Sequence, residues 1–378
     1  MVDMGPGAGV VGGEIVAAGH PKVVAEGKTL TAKWLRGERR IDLARERREP
    51  KAWLTIRGAR ANNLRGGTIG IPLGVLVGIC GVSGSGKSTL MIDTIGRALD
   101  PKKITTSVAR EPMEPGEHDS IKGAPVRTVL LDQVRKGIRS PGLFLDLFKP
   151  LLHLYSESDD AKALGLDEEN LSKRCSVCGG GGMIRTDMGF LPDVHTLCEY
   201  CRGTGLRPEA WEVRVRGVAF PELNHLTIDE AYDLFGHEET LARKLKAAKD
   251  VGLGYLVLRQ PGYTLSGGEA QRLRIAKDLS RMTVSRTLYI LDEPTVGQHM
   301  EDVARLIEVL HRLVEEGHSV IVIEHHPHLL AACDWLIELG PGGGPEGGLV
   351  IKSGTPETLA GGRTPTSPYL KNVLGGGL

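Results

Sequence analysis

At 378 residues the chain is long enough for two or three domains with cores of their own. Lysine plus arginine equals aspartate plus glutamate at 47 each, so bulk charge selects neither nucleic acid nor an anionic membrane as partner, and only local patches can. No apolar run reaches the roughly 18–20 residues that cross a bilayer, and the N-terminus lacks a basic start before an apolar core, so the sequence predicts a soluble, cytoplasmic protein with no membrane partner.

The first 25 residues repeat the chain's own end. Gly5-Pro6-Gly7-Ala8-Gly9-Val10-Val11-Gly12-Gly13 recurs 335 positions later as Gly340-Pro341-Gly342-Gly343-Gly344-Pro345-Glu346-Gly347-Gly348, and Gly19, Pro21 and Ala25 match Gly354, Pro356 and Ala360. Self-similarity at a fixed offset marks a repeated unit. Residues 1–25 are therefore expected to be the tail of a preceding nucleotide-binding domain. A basic linker, 26–50, follows. The wider stretch 28–60 carries eleven Lys or Arg against four acids, with Trp34 and Trp53 interleaved, which fits either phosphate contact or a solvated helical connector.

Next comes the stretch around which the chain is organised. Val75-Leu76-Val77-Gly78-Ile79-Cys80 reads as a buried strand and Thr89–Ile95 as a helix. Between them lies Gly81-Val82-Ser83-Gly84-Ser85-Gly86-Lys87-Ser88. Strand, glycine-rich loop and helix in this order make a phosphate-binding loop. Its backbone N–H groups turn toward one anion, and the helix N-terminus adds positive potential. Lys87 then reaches the β- and γ-phosphates of ATP, and the Ser88 hydroxyl ligates Mg²⁺. The bland alternative, a glycine-rich turn that binds nothing, leaves the complete set of fixed positions unexplained. Residues 51–140 are read as the phosphate-loop part of the domain. They close on the strand Thr128-Val129-Leu130-Leu131-Asp132-Gln133, whose terminal Gln133 is suited to sensing metal and γ-phosphate.

Residues 141–262 lose the β–α alternation and are read as an insertion. Within it, at about 171–205, Cys175-x-x-Cys178 and Cys198-x-x-Cys201 stand 19 residues apart, within the range of a four-cysteine Zn²⁺ site. Disulfides are the alternative, disfavoured in a reducing compartment. Cys80 and Cys333 read as small core residues. Alternation returns in 263–378. There Ser266-Gly267-Gly268-Glu269 forms a capping box and an anion-binding helix start. The apolar strand Thr287–Leu291 ends in Asp292, placed for Mg²⁺, followed by Glu293, placed to orient or deprotonate the attacking water. Ser319–Ile323 is the next strand. His325 just beyond it is suited to the γ-phosphate, with His326 and His328 as helix-start residues rather than metal ligands.

Leu265-Ser266-Gly267-Gly268-Glu269-Ala270-Gln271-Arg272 resembles the ATP-binding-cassette signature. With the phosphate loop, the cysteine insertion, Gly189–Val194, Val251–Tyr255 and Leu288–Pro294, it resembles the C-terminal half of the UvrA family, the damage-recognition ATPases of the bacterial excinuclease. The resemblance implies an α/β ATP-binding-cassette P-loop domain with an inserted zinc module. It implies a DNA-repair ATPase acting on damaged duplex DNA in nucleotide excision repair, alongside a UvrB-like helicase. It also implies that Ser266, Gly267, Gly268 and Glu269 serve, in trans, ATP held by another nucleotide-binding domain, whether a second copy or a missing N-terminal half. Three departures point to the alternative, a paralogue in drug self-resistance, one of them Asn170-Leu171-Ser172-Lys173-Arg174 where the family has a Phe-Ser-Phe-Asn-like stretch. Val296-Gly297-Gln298-His299 stands where the family has Thr-Gly-Leu-His, and Val134–Ser140 matches its basic loop only partly. A transporter ATPase fits less well, because it has no need of a zinc insertion. Residues 171–217 hold seven basic and five acidic side chains, so DNA contact by the zinc module has to come through a basic edge.

Overall fold

The computed structural model describes the chain except residues 8, 10, 11, 44, 45, 101–113, 132–136, 187–193, 282–285 and 376–378 and the side chains of residues 185 and 195. Gln133 and most of the Gly189–Val194 motif therefore lie outside the described residues. The chain forms two compact units. One comprises Met1–Val134 with Arg281–Leu378, the other Arg135–Ser280.

The first unit is built on a six-stranded sheet, ordered Leu349–Gly354, Trp335–Gly340, Leu76–Gly81, Ser319–Ile323, Thr287–Asp292, Arg127–Leu131. All neighbours are parallel except Leu349–Gly354, which runs antiparallel to Trp335–Gly340. The inner strands read as continuous apolar runs because both their faces are covered, as parallel sheets require. Every residue of Leu76–Gly81 and of Ser319–Ile323 is buried. A three-stranded antiparallel sheet, Thr68–Leu73, Ala52–Arg57, Ser120–Lys122, supplies Leu54, Ile56 and Ile71 to the same core as Val77, Ile79, Leu90 and Ile321. Register sets the site. Asp292 pairs with Ile323, and Ile323 with Ile79, so the three strands end level at one edge of the sheet.

The segment after the phosphate loop is helical as expected, and Thr89–Gly96 winds as a π-helix. The Thr94 hydroxyl donates to the Thr89 carbonyl at 2.8 Å, a side-chain bond that competes with the ordinary helical ladder. Among the described residues of the basic linker only Leu30–Leu35 is helical, and Trp34 is buried with its indole donating to Glu301 at 3.1 Å. Two of its arginines are tied down by this unit's own acids. Arg47 meets Glu357 at 2.7 Å, and Arg48 meets the buried Asp334 and Glu315, each at 3.1 Å.

The sequence echo is also a structural one. Val2–Gly5 pairs antiparallel with Glu14–Ala18, followed by the helix Pro21–Ala25. The same hairpin and helix recur in Trp335–Gly340, Leu349–Gly354 and Pro356–Ala360.

The second unit contains the helices Ile228–Phe235, Glu239–Asp250 and Gly267–Leu279 and the hairpin Met183–Thr186 with Val194–Leu197. The signature helix thus groups with the residues read as an insertion, not with the strand ending in Asp292.

Candidate nucleotide and metal sites

The phosphate loop is held by segments distant in sequence. The Gly84 carbonyl accepts from Gly344 N–H at 3.0 Å and the Ser85 carbonyl from Gly348 N–H at 3.0 Å. The Asn63 amide donates to Gly84 and Gly344 carbonyls, both at 2.9 Å, clamping the two loops together. The repeated glycine-rich segment therefore backs the phosphate loop. These bonds occupy carbonyls of the loop, and within the loop the Ser85 N–H donates to the Val82 carbonyl at 3.2 Å. Of the loop Gly81, Val82, Ser83, Gly84, Ser85, Gly86, Lys87 and Ser88, the last two already lie in the helix, which continues as the π-helical Thr89–Gly96.

Lys87 is buried, and its ammonium donates to the Gly81 and Val82 carbonyls at 3.0 and 2.9 Å. Burial pulls its pKa down, opposed by the charges of Glu293 and Asp292. The ammonium is thus parked on two carbonyls near two carboxylates, positioned to exchange these neutral partners for phosphate oxygens. Glu293 lies just past the acidic strand with a left-handed φ of 44°. Its N–H donates to the Ile323 carbonyl at 2.9 Å. Its carboxylate stands 3.6 Å from His325 Nε2. Burial, then the positive charge of Lys87, lowers the His325 pKa below its ordinary value. The fold brings Lys87, Asp292, Glu293 and His325 to the carboxyl edge of a parallel sheet, where α/β folds bind ligands. The donor set fits Mg²⁺, since Ser88 and Asp292 supply the hard oxygens that it takes.

Sequence reasoning passed over Asn63, Gly344 and Gly348. The repeat signalled the glycine-rich loop but not what it touches, and Asn63 carries no signal of its own.

In the second unit Ser266 caps the signature helix as expected. Glu269 N–H donates to Ser266 Oγ at 3.2 Å, and Ser266 N–H to Glu269 Oε2 at 2.6 Å. The Tyr255 hydroxyl holds the other Glu269 oxygen at 2.5 Å. Gly267 and Gly268 form the first turn of this 13-residue helix, an end that favours an anion.

The four cysteines converge. The sulfurs of Cys175, Cys178, Cys198 and Cys201 all lie within 4.8 Å of one another, with Cys175 3.9 Å from Cys198 and Cys178 3.7 Å from Cys201. A tetrahedral Zn–S bond of about 2.3 Å implies sulfurs about 3.8 Å apart, so the spacing fits zinc. It does not fit disulfides, whose sulfurs bond at about 2.05 Å. Backbone N–H groups supply the outer shell, Gly182 to Cys178 at 3.2 Å and Gly205 to Cys201 at 3.3 Å. Burial raises the Cys178 thiol, but the Gly180 and Gly182 N–H groups outweigh it and bring the thiol down to about 7. At Cys201 burial wins, raising the thiol to about 11. Cys80 and Cys333 are buried apart from this cluster, burial pushing Cys80 up to about 12.

His326 occupies the N-cap position of the helix Pro327–Ala332 without a side-chain capping bond, and His328 lies in its first turn. Among the described residues, the four cysteines are the only group of three or more His, Cys, Asp or Glu arranged to hold a metal ion. Among the same residues, no helix is long and apolar enough to cross a membrane.

No family model matches the chain. UvrABC system protein A of Thermus thermophilus is 42% identical over 99% of this chain and 40% of its own length. That of Streptococcus pneumoniae is 41% identical over 99% of this chain and 40% of its own length. The crystal structure of UvrA2 from Deinococcus radiodurans superposes with a TM-score of 0.83 at 36% identity, covering 98% of this chain and 46% of that one. The chain thus spans about two fifths of the length of the curated relatives it matches. Phosphate loop, signature helix and four-cysteine cluster lie on an α/β fold, and over almost its whole length the chain is similar to a part of UvrABC system protein A and to a part of UvrA2.

Proposed function

We propose that this chain is an ATP-hydrolysing part of a cytoplasmic nucleotide-excision-repair protein that recognises damaged duplex DNA. The observation carrying the proposal is the convergence of Lys87, Glu293 and His325 at one sheet edge, in a chain 42% identical to UvrABC system protein A. Lys87 leaves its carbonyl partners for the β- and γ-phosphates. Glu293 orients a water and takes its proton as the water oxygen bonds the γ-phosphorus and the bridging P–O bond to ADP breaks. His325, neutral through its lowered pKa, donates from Nε2 to the γ-phosphate as charge develops. Ser88 and Asp292 would hold Mg²⁺, which supplies charge neutralisation on the triphosphate. Gln133 is proposed to sense the γ-phosphate, and Cys175, Cys178, Cys198 and Cys201 to hold Zn²⁺.

Ser266, Gly267, Gly268 and Glu269 are proposed to close over nucleotide held by a second nucleotide-binding domain. The N-terminal copy of the Trp335–Ala360 hairpin and helix supports pairing with such a domain. A UvrB-like helicase is the further partner. DNA is bound chiefly through phosphates, with discrimination from the deformability of the damaged duplex, since a damage sensor has to tolerate any sequence.

The test is nucleotide-dependent binding of lesion-bearing and intact duplexes, titrated with salt, using the chain together with an added N-terminal half from a relative. Affinity that falls with salt and a lesion preference that changes between wild type and Glu293→Gln support the reading. Salt-independent binding, or none at low salt alongside intact ATP hydrolysis, moves the assignment to a paralogue acting on another ligand.

A further inference from the structure

Glu324 is only 2% exposed, and it directly follows the strand Ser319–Ile323. Its own N–H donates to the Ile79 carbonyl at 3.1 Å, on the strand that leads into the phosphate loop. One carboxylate oxygen accepts the Thr295 N–H at 2.9 Å and the Thr295 hydroxyl at 2.5 Å. The other accepts the N–H groups of His325 at 2.7 Å and His326 at 2.9 Å. A carboxylate this buried is tolerated only where its lone pairs are satisfied, and here four donors satisfy them.

Those donors belong to the two segments on which hydrolysis depends. Thr295 lies two residues beyond Glu293, and His325 is itself the proposed γ-phosphate contact. Glu293 keeps a left-handed backbone, a conformation that a non-glycine residue holds only when its surroundings over-determine it. The Ile323 carbonyl pins it on one side, and the Glu324–Thr295 bonds pin the loop just after it. We propose that Glu324 is a positioning residue. One oxygen anchors the loop of the general base and the other anchors the loop of the histidine, so a single rigid carboxylate sets the 3.6 Å spacing of Glu293 and His325. The proposal rests on the roles given above to Glu293 and His325.

Glu324→Gln replaces one acceptor oxygen by an NH₂ group that faces at least one backbone N–H donor, whichever way the amide turns. Glu324→Asp keeps both oxygens on a shorter stem. Thr295→Val removes one donor and keeps the side-chain shape. Each variant is compared with wild type for Mg-ATP affinity, measured with a fluorescent analogue, and for kcat and KM, at the protein concentration where wild type hydrolyses. Glu324→Gln is expected to lower kcat about tenfold or more while nucleotide affinity stays within about threefold. Glu324→Asp recovers part of the loss. Thr295→Val lowers kcat several-fold, and adding it to Glu324→Gln causes less than the multiplied loss, because the two residues act as one unit.

An unchanged kcat in Glu324→Gln overturns the proposal. So does a kcat that falls only in step with nucleotide affinity and melting temperature, which marks plain architectural support. If Glu324→Gln does not fold, Thr295→Val decides, and wild-type kcat there overturns the proposal. Glu293→Gln and His325→Ala serve as controls. Full hydrolysis in both shows that the site reading itself fails, and this inference falls with it, whereas loss in both with normal Glu324→Gln turnover refutes Glu324 alone.

Discussion

Gly348→Ala should perturb nucleotide binding while leaving every residue of the phosphate loop unchanged in sequence. Gly348 donates its N–H to the Ser85 carbonyl at 3.0 Å, from a backbone φ of 82°. A Cβ there would lie 1.8 Å from the Asn63 carbonyl oxygen, a backbone atom that cannot swing aside. Asn63 in turn clamps Gly84 and Gly344. Alanine in the left-handed region costs about 1 kcal/mol. Relieving the overlap by backbone shifts adds about 1–3 kcal/mol, for a total of about 2–4 kcal/mol. The repeat supplies an internal control. Gly13, 335 positions earlier, has a similar φ of 90° but would bring its Cβ within 4 Å of no described atom. Gly13→Ala should cost the backbone term alone, about 1 kcal/mol. At about 2–4 °C per kcal/mol for a unit of this size, Gly348→Ala should melt about 5–15 °C below wild type, and Gly13→Ala no more than about 4 °C below. Calorimetry with and without Mg-ATP, beside a direct nucleotide titration, checks both numbers. Nucleotide-induced stabilisation should disappear in Gly348→Ala and persist in Gly13→Ala. Equal effects of the two substitutions, or wild-type nucleotide affinity in Gly348→Ala, would refute the packing argument.

Elemental analysis should find one zinc per chain. Its removal by a chelator should unfold roughly residues 171–205 and spare nucleotide binding, because structural zinc in small modules contributes about 10–16 kcal/mol of apparent binding energy; a zinc-free protein with four alkylatable thiols at these positions would sink the site. The lowered His325 pKa keeps its imidazole neutral at pH 7. Stability from the neutral ring is present above the unfolded value of 6.5 and lost as pH falls through the lower folded value, and hydrolysis should follow the same limb. A kcat–pH limb above 6.5, or one that survives in His325→Gln, contradicts this assignment. Arg48→Ala leaves Asp334, 3% exposed, with backbone donors from Leu76 at 2.8 Å and residue 48 at 3.1 Å but no guanidinium. Urea denaturation should show a loss of about 1–3 kcal/mol; no loss would mean that the linker arginine is idle. Glu293→Gln should abolish turnover while nucleotide stays bound, and release of ADP at the wild-type rate would remove Glu293 from the role of base.

The motifs legible in the sequence are those whose chemistry comes from neighbouring residues. Gly81–Ser88 needs only a strand, a turn and a helix start to expose its N–H groups. Ser266 and Glu269 cap their own helix three residues apart, and each Cys-x-x-Cys pair turns two thiolates toward one point. Strands such as Thr287–Asp292 and Ser319–Ile323 were legible too, because a strand buried on both faces is apolar throughout. Tertiary structure decided how these pieces meet. Asn63 reaches Gly344 across 281 positions, and Arg48 reaches Asp334 across 286, so no local spacing announces either. The charge of the basic linker left phosphate contact and a solvated connector both open, because acids that partner it lie far along the chain. The left-handed Glu293 and the two-sided anchoring of Glu324 depend on the sheet placing the ends of Leu76–Gly81, Thr287–Asp292 and Ser319–Ile323 level with one another. Short-range sterics and hydrogen bonds write themselves into local sequence. Contacts between distant segments exist only once strand order and register have brought their backbones together.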